Sequence, residues 1–152
     1  MPFDARAVAA TEGRARRAAA EAAAGRARFE EAAVALLPNF APPEAAEALV
    51  RHCRALLPKC RAEKGSYAIN RLGYRLDGAA LKAALEALGS DEATARVSAL
   101  VGERVAVEDA AVFPVDLRVY RKGSSMGWHT DELLYNLPHY EMVWTAWNTS
   151  DR

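Results

Sequence analysis

The stretch Asp116–Asp131, DLRVYRKGSSMGWHTD, carries the pattern that decides the fold of this 152-residue chain. In its first five residues, apolar and polar side chains alternate, and a period of two predicts a half-buried strand. Glycines and serines follow, which predicts a loop in which Gly123 and Gly127 let the chain turn. The stretch ends in His129-Thr130-Asp131, which we expect on a second strand.

The ending of this stretch contains the candidate site residues. Side chains two residues apart on a strand point to the same side, so His129 and Asp131 are predicted to share one face. An imidazole and a carboxylate on one face are two of the three protein ligands of a 2-His-1-carboxylate iron site. Tyr120 has the strand parity of the polar residues Asp116 and Arg118, and we expect these three to face a polar cavity. A polar pair on a surface strand is the alternative interpretation.

The remainder of the chain predicts helices first and strands last. Helices are predicted over Glu44–Leu57, over Gly78–Leu88, and from Ser90 or Asp91 to about Val101, with Gly102 ending the last one. Residues 66–76 predict an extended segment with a break at Gly73. Residues 140–148 alternate and are apolar on both faces, which predicts a central strand. This order of elements favours an α+β fold.

Composition limits the classes of protein and partner. Residues 1–35 are rich in alanine and arginine and predict a helical extension before a domain over residues 36–152. The formal net charge is zero, which argues against a nucleic-acid partner, and no run approaches the roughly 18 apolar residues of a membrane span. Acidic residues within 1–35 argue against an organelle transit peptide, so we expect a cytoplasmic protein. Cys53 and Cys60 are expected to be reduced thiols without a catalytic role.

The pattern Y-x-x-G followed by H-x-D resembles the iron(II)/2-oxoglutarate-dependent dioxygenases, especially their prolyl 4-hydroxylase-like branch. The matching residues are Tyr120-Arg121-Lys122-Gly123 and His129-Thr130-Asp131, and residues 140–148 resemble the strand that follows the metal motif. The resemblance implies that His129 and Asp131 bind Fe(II) and that the Tyr120 hydroxyl donates to a carboxylate of 2-oxoglutarate. It also implies a double-stranded β-helix, a jelly-roll barrel with the N-terminal helices packed on one outer face.

The reaction of this family requires residues that have no match in the chain. Family members oxidatively decarboxylate 2-oxoglutarate to succinate while they hydroxylate a protein or small-molecule substrate, and ascorbate often keeps the iron reduced. The second iron histidine, and the Lys or Arg that pairs with the far carboxylate of 2-oxoglutarate, have no matching positions. We therefore expect a truncated barrel without its C-terminal half. The alternative is a non-catalytic half-barrel binding module that acts through a partner, and an uncovered edge strand would favour self-association.

Overall fold

A computed structural model of the chain describes residue 20 and residues 23–63, 67–109, 114–127, 129 and 139–149. These residues form an α+β fold with four helices and a three-stranded antiparallel open sheet. The described part of the first helix, α1, covers residues 23–32. The predicted α+β class is therefore confirmed. No helix in these ranges is both long enough and apolar enough to cross a membrane.

The other three helices, α2, α3 and α4, lie at Pro43–Leu56, Gly78–Leu88 and Asp91–Val101, close to their predicted bounds. Pro43 occupies the first turn of α2, where its missing N–H removes no helical hydrogen bond. The Ser90 hydroxyl caps α4 by accepting a hydrogen bond from the backbone N–H of Ala93 at 3.3 Å. Gly102 ends α4 in the left-handed conformation, with φ at 82°. Residues that the sequence identifies as caps thus set both ends of α4.

One stripe of α2 faces the core. Leu49, Cys53 and Leu56 are buried, and their spacing of four and three residues places them on one side of the helix. A 3-10 turn at Leu57–Lys59 follows α2 and leads to Cys60. Both cysteines are free and buried, and burial raises the pKa of each thiol. The expectation of two separate thiols therefore agrees with their observed state.

The sheet consists of β1 (Arg61–Ala62), β2 (Ala68–Arg75) and β3 (Asp116–Met126), in that order. Directly opposite residues on antiparallel strands share a face, so the pairs Arg71–Tyr120, Gly73–Arg118 and Arg75–Asp116 define one side of the sheet. We call this side the polar face. Leu117 belongs to the opposite face and is buried. The predicted strand at residues 116–120 is confirmed, and it separates an apolar face from a polar one.

The predicted break at Gly73 is wrong. Gly73 lies inside β2 and pairs with Arg61 on one side and Arg118 on the other. The irregularity falls instead between Ile69 and Arg71, where Asn70 has a φ of 57°. Asparagine tolerates this left-handed conformation better than most residues, so it can bend the strand where a glycine is absent.

The predicted Gly/Ser loop is also wrong, because β3 continues through it to Met126. The segment forms a bulge within the strand rather than a connection between two strands. The Ser124 hydroxyl accepts a hydrogen bond from the N–H of Arg121 and donates to the carbonyl of Asn70, both at 2.8 Å. Gly123 supplies the positive φ of 81° that the bulge requires. The two hydrogen bonds of Ser124, one within β3 and one to β2, therefore stabilise a segment whose composition is typical of loops.

The prediction of a central strand at residues 140–148 is wrong. Residues 139–149 contain no strand, and Val143 is 84% exposed. Within the part of the chain that the structure describes, this segment is hydrogen-bonded into no sheet, although its residues alternate. His129 is likewise outside any strand. Asp131, and with it the predicted shared face of His129 and Asp131, lies outside the described residues.

The chain divides into two compact units. One unit combines the described residues up to Ala41 with Leu88–Val107. In it, Arg96 donates to the carbonyls of Asn39 and Phe40 at 2.9 and 2.8 Å, and its guanidinium lies over the Phe40 ring. The other unit contains α2, the sheet, Tyr120 and His129. The predicted boundary between residues 35 and 36 stays a prediction.

Candidate functional site

Tyr120 lies on β3 with its side chain on the polar face of the sheet. It shares this face with Asp116 and Arg118, as their alternation predicts, and all three are exposed. Tyr120 itself is 49% exposed, so part of the residue is accessible from solvent. The residue directly opposite on β2 is Arg71. The sheet register therefore brings a phenol and a guanidinium together on one face.

Arg71 is the buried charge of this region, with only 8% of its surface exposed. Its Nη1 donates to the Tyr120 hydroxyl at 3.1 Å, and its Nε donates to the Glu63 carboxylate. The guanidinium carbon also lies 5.8 Å from the centre of the Tyr120 ring. Burial works to lower the pKa of Arg71, but the hydrogen bonds and charges of Tyr120 and Glu63 outweigh it and raise that pKa. The guanidinium is therefore a permanent cation held in a fixed orientation.

Gly73 makes room for this ion pair. It lies two residues after Arg71 on the same face, and a side-chain carbon at this position would collide with the Glu63 carboxyl group. The backbone N–H of Glu63 donates to the carbonyl of Arg71 at 3.2 Å, which brings the two residues side by side. Gly73 is therefore needed for close packing against the Glu63 side chain, and it does not break the strand.

Two hydrogen-bond donors of this group converge on one sulfur atom. The Sδ of Met126 accepts from the Tyr120 hydroxyl at 3.5 Å and from Arg71 Nη1 at 3.6 Å. A thioether is a weak acceptor, and the Met126 side chain is 47% exposed. A phenol and a guanidinium therefore share one weak acceptor near the surface. We call Arg71, Tyr120, Glu63 and Met126 the Arg71 cluster.

His129 lies three residues beyond the end of β3 and is exposed. Its Nδ1 is 2.9 Å from the carbonyl oxygen of Gly127. A carbonyl oxygen can only accept, so Nδ1 is the donor of this hydrogen bond. The ring stacks on Tyr67, with centroids 5.2 Å apart and planes 18° from parallel. Metal-binding histidines commonly show this arrangement, in which one nitrogen donates to a carbonyl and orients the ring.

The described residues do not by themselves form a metal site. Across those ranges, no three His, Cys, Asp or Glu side chains lie close enough together to hold a metal ion. Of the three candidate residues, the structure describes Tyr120 and His129, whereas Asp131 lies outside the described residues. The fit to iron therefore depends on the donor chemistry of His129 alone.

The sequence did not identify Arg71 and Glu63 as site residues. The run SYAINRLGYRL contains two arginines, Arg71 and Arg75, and its alternation does not show which of them pairs with a carboxylate. The register that sets Arg71 opposite Tyr120 joins segments that are distant in the sequence, and composition alone does not reveal it. Comparison with known proteins adds no candidate, because no protein-family model, curated protein or solved structure matches the chain.

Proposed function

We propose that this chain belongs to an Fe(II)- and 2-oxoglutarate-dependent dioxygenase of the prolyl 4-hydroxylase-like type, built on a double-stranded β-helix. The observation that carries the proposal is the position of Tyr120, nine residues before His129 in the sequence and next to the cationic Arg71 on the polar face. A hydroxyl beside a fixed cation is suited to bind the carboxylate of an organic acid. The sequence pattern that resembles this family supplies the remaining support.

The proposed roles of the residues follow from their donor atoms. Tyr120 donates its hydroxyl proton to one carboxylate of 2-oxoglutarate. His129 offers Nε2 and Asp131 its carboxylate to Fe(II), which when bound supplies the chemistry that couples decarboxylation of 2-oxoglutarate to hydroxylation of a substrate. The hydrogen bond between His129 Nδ1 and the Gly127 carbonyl supports this role, because it orients the ring and involves the other nitrogen. The proposal also requires a second histidine ligand, which the matched motif does not include.

Turnover of 2-oxoglutarate tests this function. The native protein with Fe(II), 2-oxoglutarate and ascorbate is expected to release succinate. His129→Ala and Asp131→Ala should each abolish this release, because two protein ligands or fewer orient the metal poorly. His139→Ala is the matched control and should retain activity. Wild-type-like release of succinate by either ligand variant would remove that residue from the site.

Tyr120 has a separate expected effect. Tyr120→Phe deletes one charge-assisted hydrogen bond, which should raise the 2-oxoglutarate concentration needed for half-maximal turnover by about tenfold. The maximal rate should change less than this concentration, since the hydroxyl contacts the cosubstrate and not the metal. An unaltered concentration dependence would remove Tyr120 from the cosubstrate site.

A second candidate function is a non-catalytic binding module. Its supporting observation is the cluster of exposed apolar side chains at Tyr140, Met142 and Val143, a pattern that is typical of contact surfaces. Under this proposal Val143→Asp abolishes self-association measured by light scattering, whereas His129→Ala leaves it unchanged. A monomeric wild-type protein across the accessible concentration range would exclude self-association as the role of this surface.

A further inference from the structure

Two donors of the Arg71 cluster, the Tyr120 hydroxyl and Nη1 of Arg71, share a weak acceptor. Tyr120 and Arg71 both donate to the Met126 sulfur, at distances of 3.5 and 3.6 Å. Sulfur in a thioether carries little negative charge, so it satisfies a phenol and a guanidinium poorly. The Met126 side chain is flexible and 47% exposed, so it can rotate away from Tyr120 and Arg71 while its backbone stays in β3.

We propose that Arg71 and Tyr120 form a carboxylate-binding pair in which an oxygen of the ligand replaces the Met126 sulfur. The inference rests on the proposed function for the identity of the ligand, which is 2-oxoglutarate. It assigns to Arg71, a residue outside the recognised motif, direct contact with the cosubstrate. The carboxylate accepts from Tyr120 and from the Nη edge of Arg71.

Glu63 prepares Arg71 for this role. It holds the Nε edge of the guanidinium, and the hydrogen bonds that Arg71 donates within the described residues involve Nε and Nη1. The guanidinium has five N–H donors in a planar fork, so occupation of one edge leaves the other for a second carboxylate. Because Arg71 is 8% exposed and paired, little side-chain freedom remains to be lost when the ligand binds.

The planar shape of the Arg71 guanidinium, and not only its positive charge, is required for the proposed role. Lysine keeps the positive charge and can still pair with Glu63, but it presents a single ammonium group and cannot bridge Glu63 and the ligand in one plane. Arg75 lies four residues further along β2 on the same face, and its nearest carboxylate oxygen, on Asp116, is 3.9 Å away. Arg71→Lys and Arg75→Lys are therefore the same chemical change inside and outside the proposed site.

The test is calorimetric titration of the full chain with 2-oxoglutarate, with and without Mn(II) as a metal that does not support turnover. Arg71→Lys is expected to weaken binding roughly ten- to a hundredfold. Arg75→Lys should stay within about twofold of wild type, because an exposed and loosely paired charge contributes little. Tyr120→Phe serves as the second variant inside the site and should weaken binding by about tenfold.

A purely structural role of Arg71 makes a different prediction. It would lower the free energy of unfolding in Arg71→Lys but leave the affinity of the folded protein for 2-oxoglutarate as in wild type. Carbon-13 NMR of 2-oxoglutarate labelled at its carboxyl groups adds a spectroscopic readout. The chemical shift of the bound carboxylate should move in Arg71→Lys and not in Arg75→Lys.

The outcomes separate this inference from the proposed function. Succinate release with equal affinities in wild type and Arg71→Lys would overturn the carboxylate pair and leave the dioxygenase proposal standing. Binding that depends on Arg71 and Tyr120, without succinate release under any metal condition, would support the pair and overturn the dioxygenase proposal. Absence of 2-oxoglutarate binding to the wild-type chain in both titrations would overturn the pair.

Discussion

β3 and residues 139–149 carry similar alternating patterns, yet only β3 is a strand. β3 is hydrogen-bonded along its length to β2, and one of its faces is apolar whereas the other is polar. Residues 139–149 are apolar on both sides and pair with no strand among the described residues. Their observed contacts are with side chains of other elements, as when Arg118 of β3 lies 3.9 Å from Glu141. A period of two therefore predicts which side chains would share a face, and the neighbouring strand decides whether a sheet forms.

The largest difference between these two regions should be in their contribution to stability. Leu117→Ala removes a side chain that is 8% exposed in β3 and should cost about 2–4 kcal/mol of unfolding free energy. Val143→Ala, in the 139–149 segment, should stay within about 0.5 kcal/mol of wild type because that side chain is 84% exposed. Urea denaturation measures both. Equal losses in the two variants would mean that residues 139–149 are packed as firmly as β3.

The sequence anticipated the parts of the fold that depend on local chemistry. Ser90 and Gly102 end α4 as their capping preferences predict, and the alternation around Tyr120 gives the face on which its side chain lies. Pairing between distant segments could not be predicted in this way. The contact of Tyr120 with Arg71 joins residues 49 positions apart and depends on register, which one sequence pattern does not determine.

A smaller effect is expected at Gly73, where β2 depends on close packing. Gly73→Ala places a methyl group against the Glu63 carboxyl and should cost about 1–3 kcal/mol, with weaker pairing of Glu63 and Arg71. Gly127→Ala is the matched control, since among the described residues no atom beyond its own chain neighbours lies within 4 Å of the position its methyl group would take. Thermal unfolding of the two variants measures the difference. A neutral Gly73→Ala would show that Glu63 can move aside without loss.

The smallest effect should come from the contact between α2 and the 139–149 segment. The Arg54 guanidinium carbon lies 5.7 Å from the centre of the Trp147 ring, and Trp144 lines a shallow groove with Ala46 and Val50 of α2. An exposed cation–π contact contributes about 0.5–1 kcal/mol. A double-mutant cycle with Arg54→Met and Trp147→Leu should give a coupling energy in this range. A coupling energy of zero would show that the two side chains do not stabilise each other.

The bulge in β3 affects how the sequences of related chains align with this one. The register shift between Ile69 and Arg71 separates the pairing of Tyr120 from the pairing of Met126. Residues between them can therefore be gained or lost while Tyr120 keeps its partner on β2 and its face of the sheet. Residues of the bulge therefore account for part of the nine-residue interval from Tyr120 to His129. Related chains should be sought with a variable gap between the tyrosine and the histidine, together with an arginine on the strand that pairs with the tyrosine.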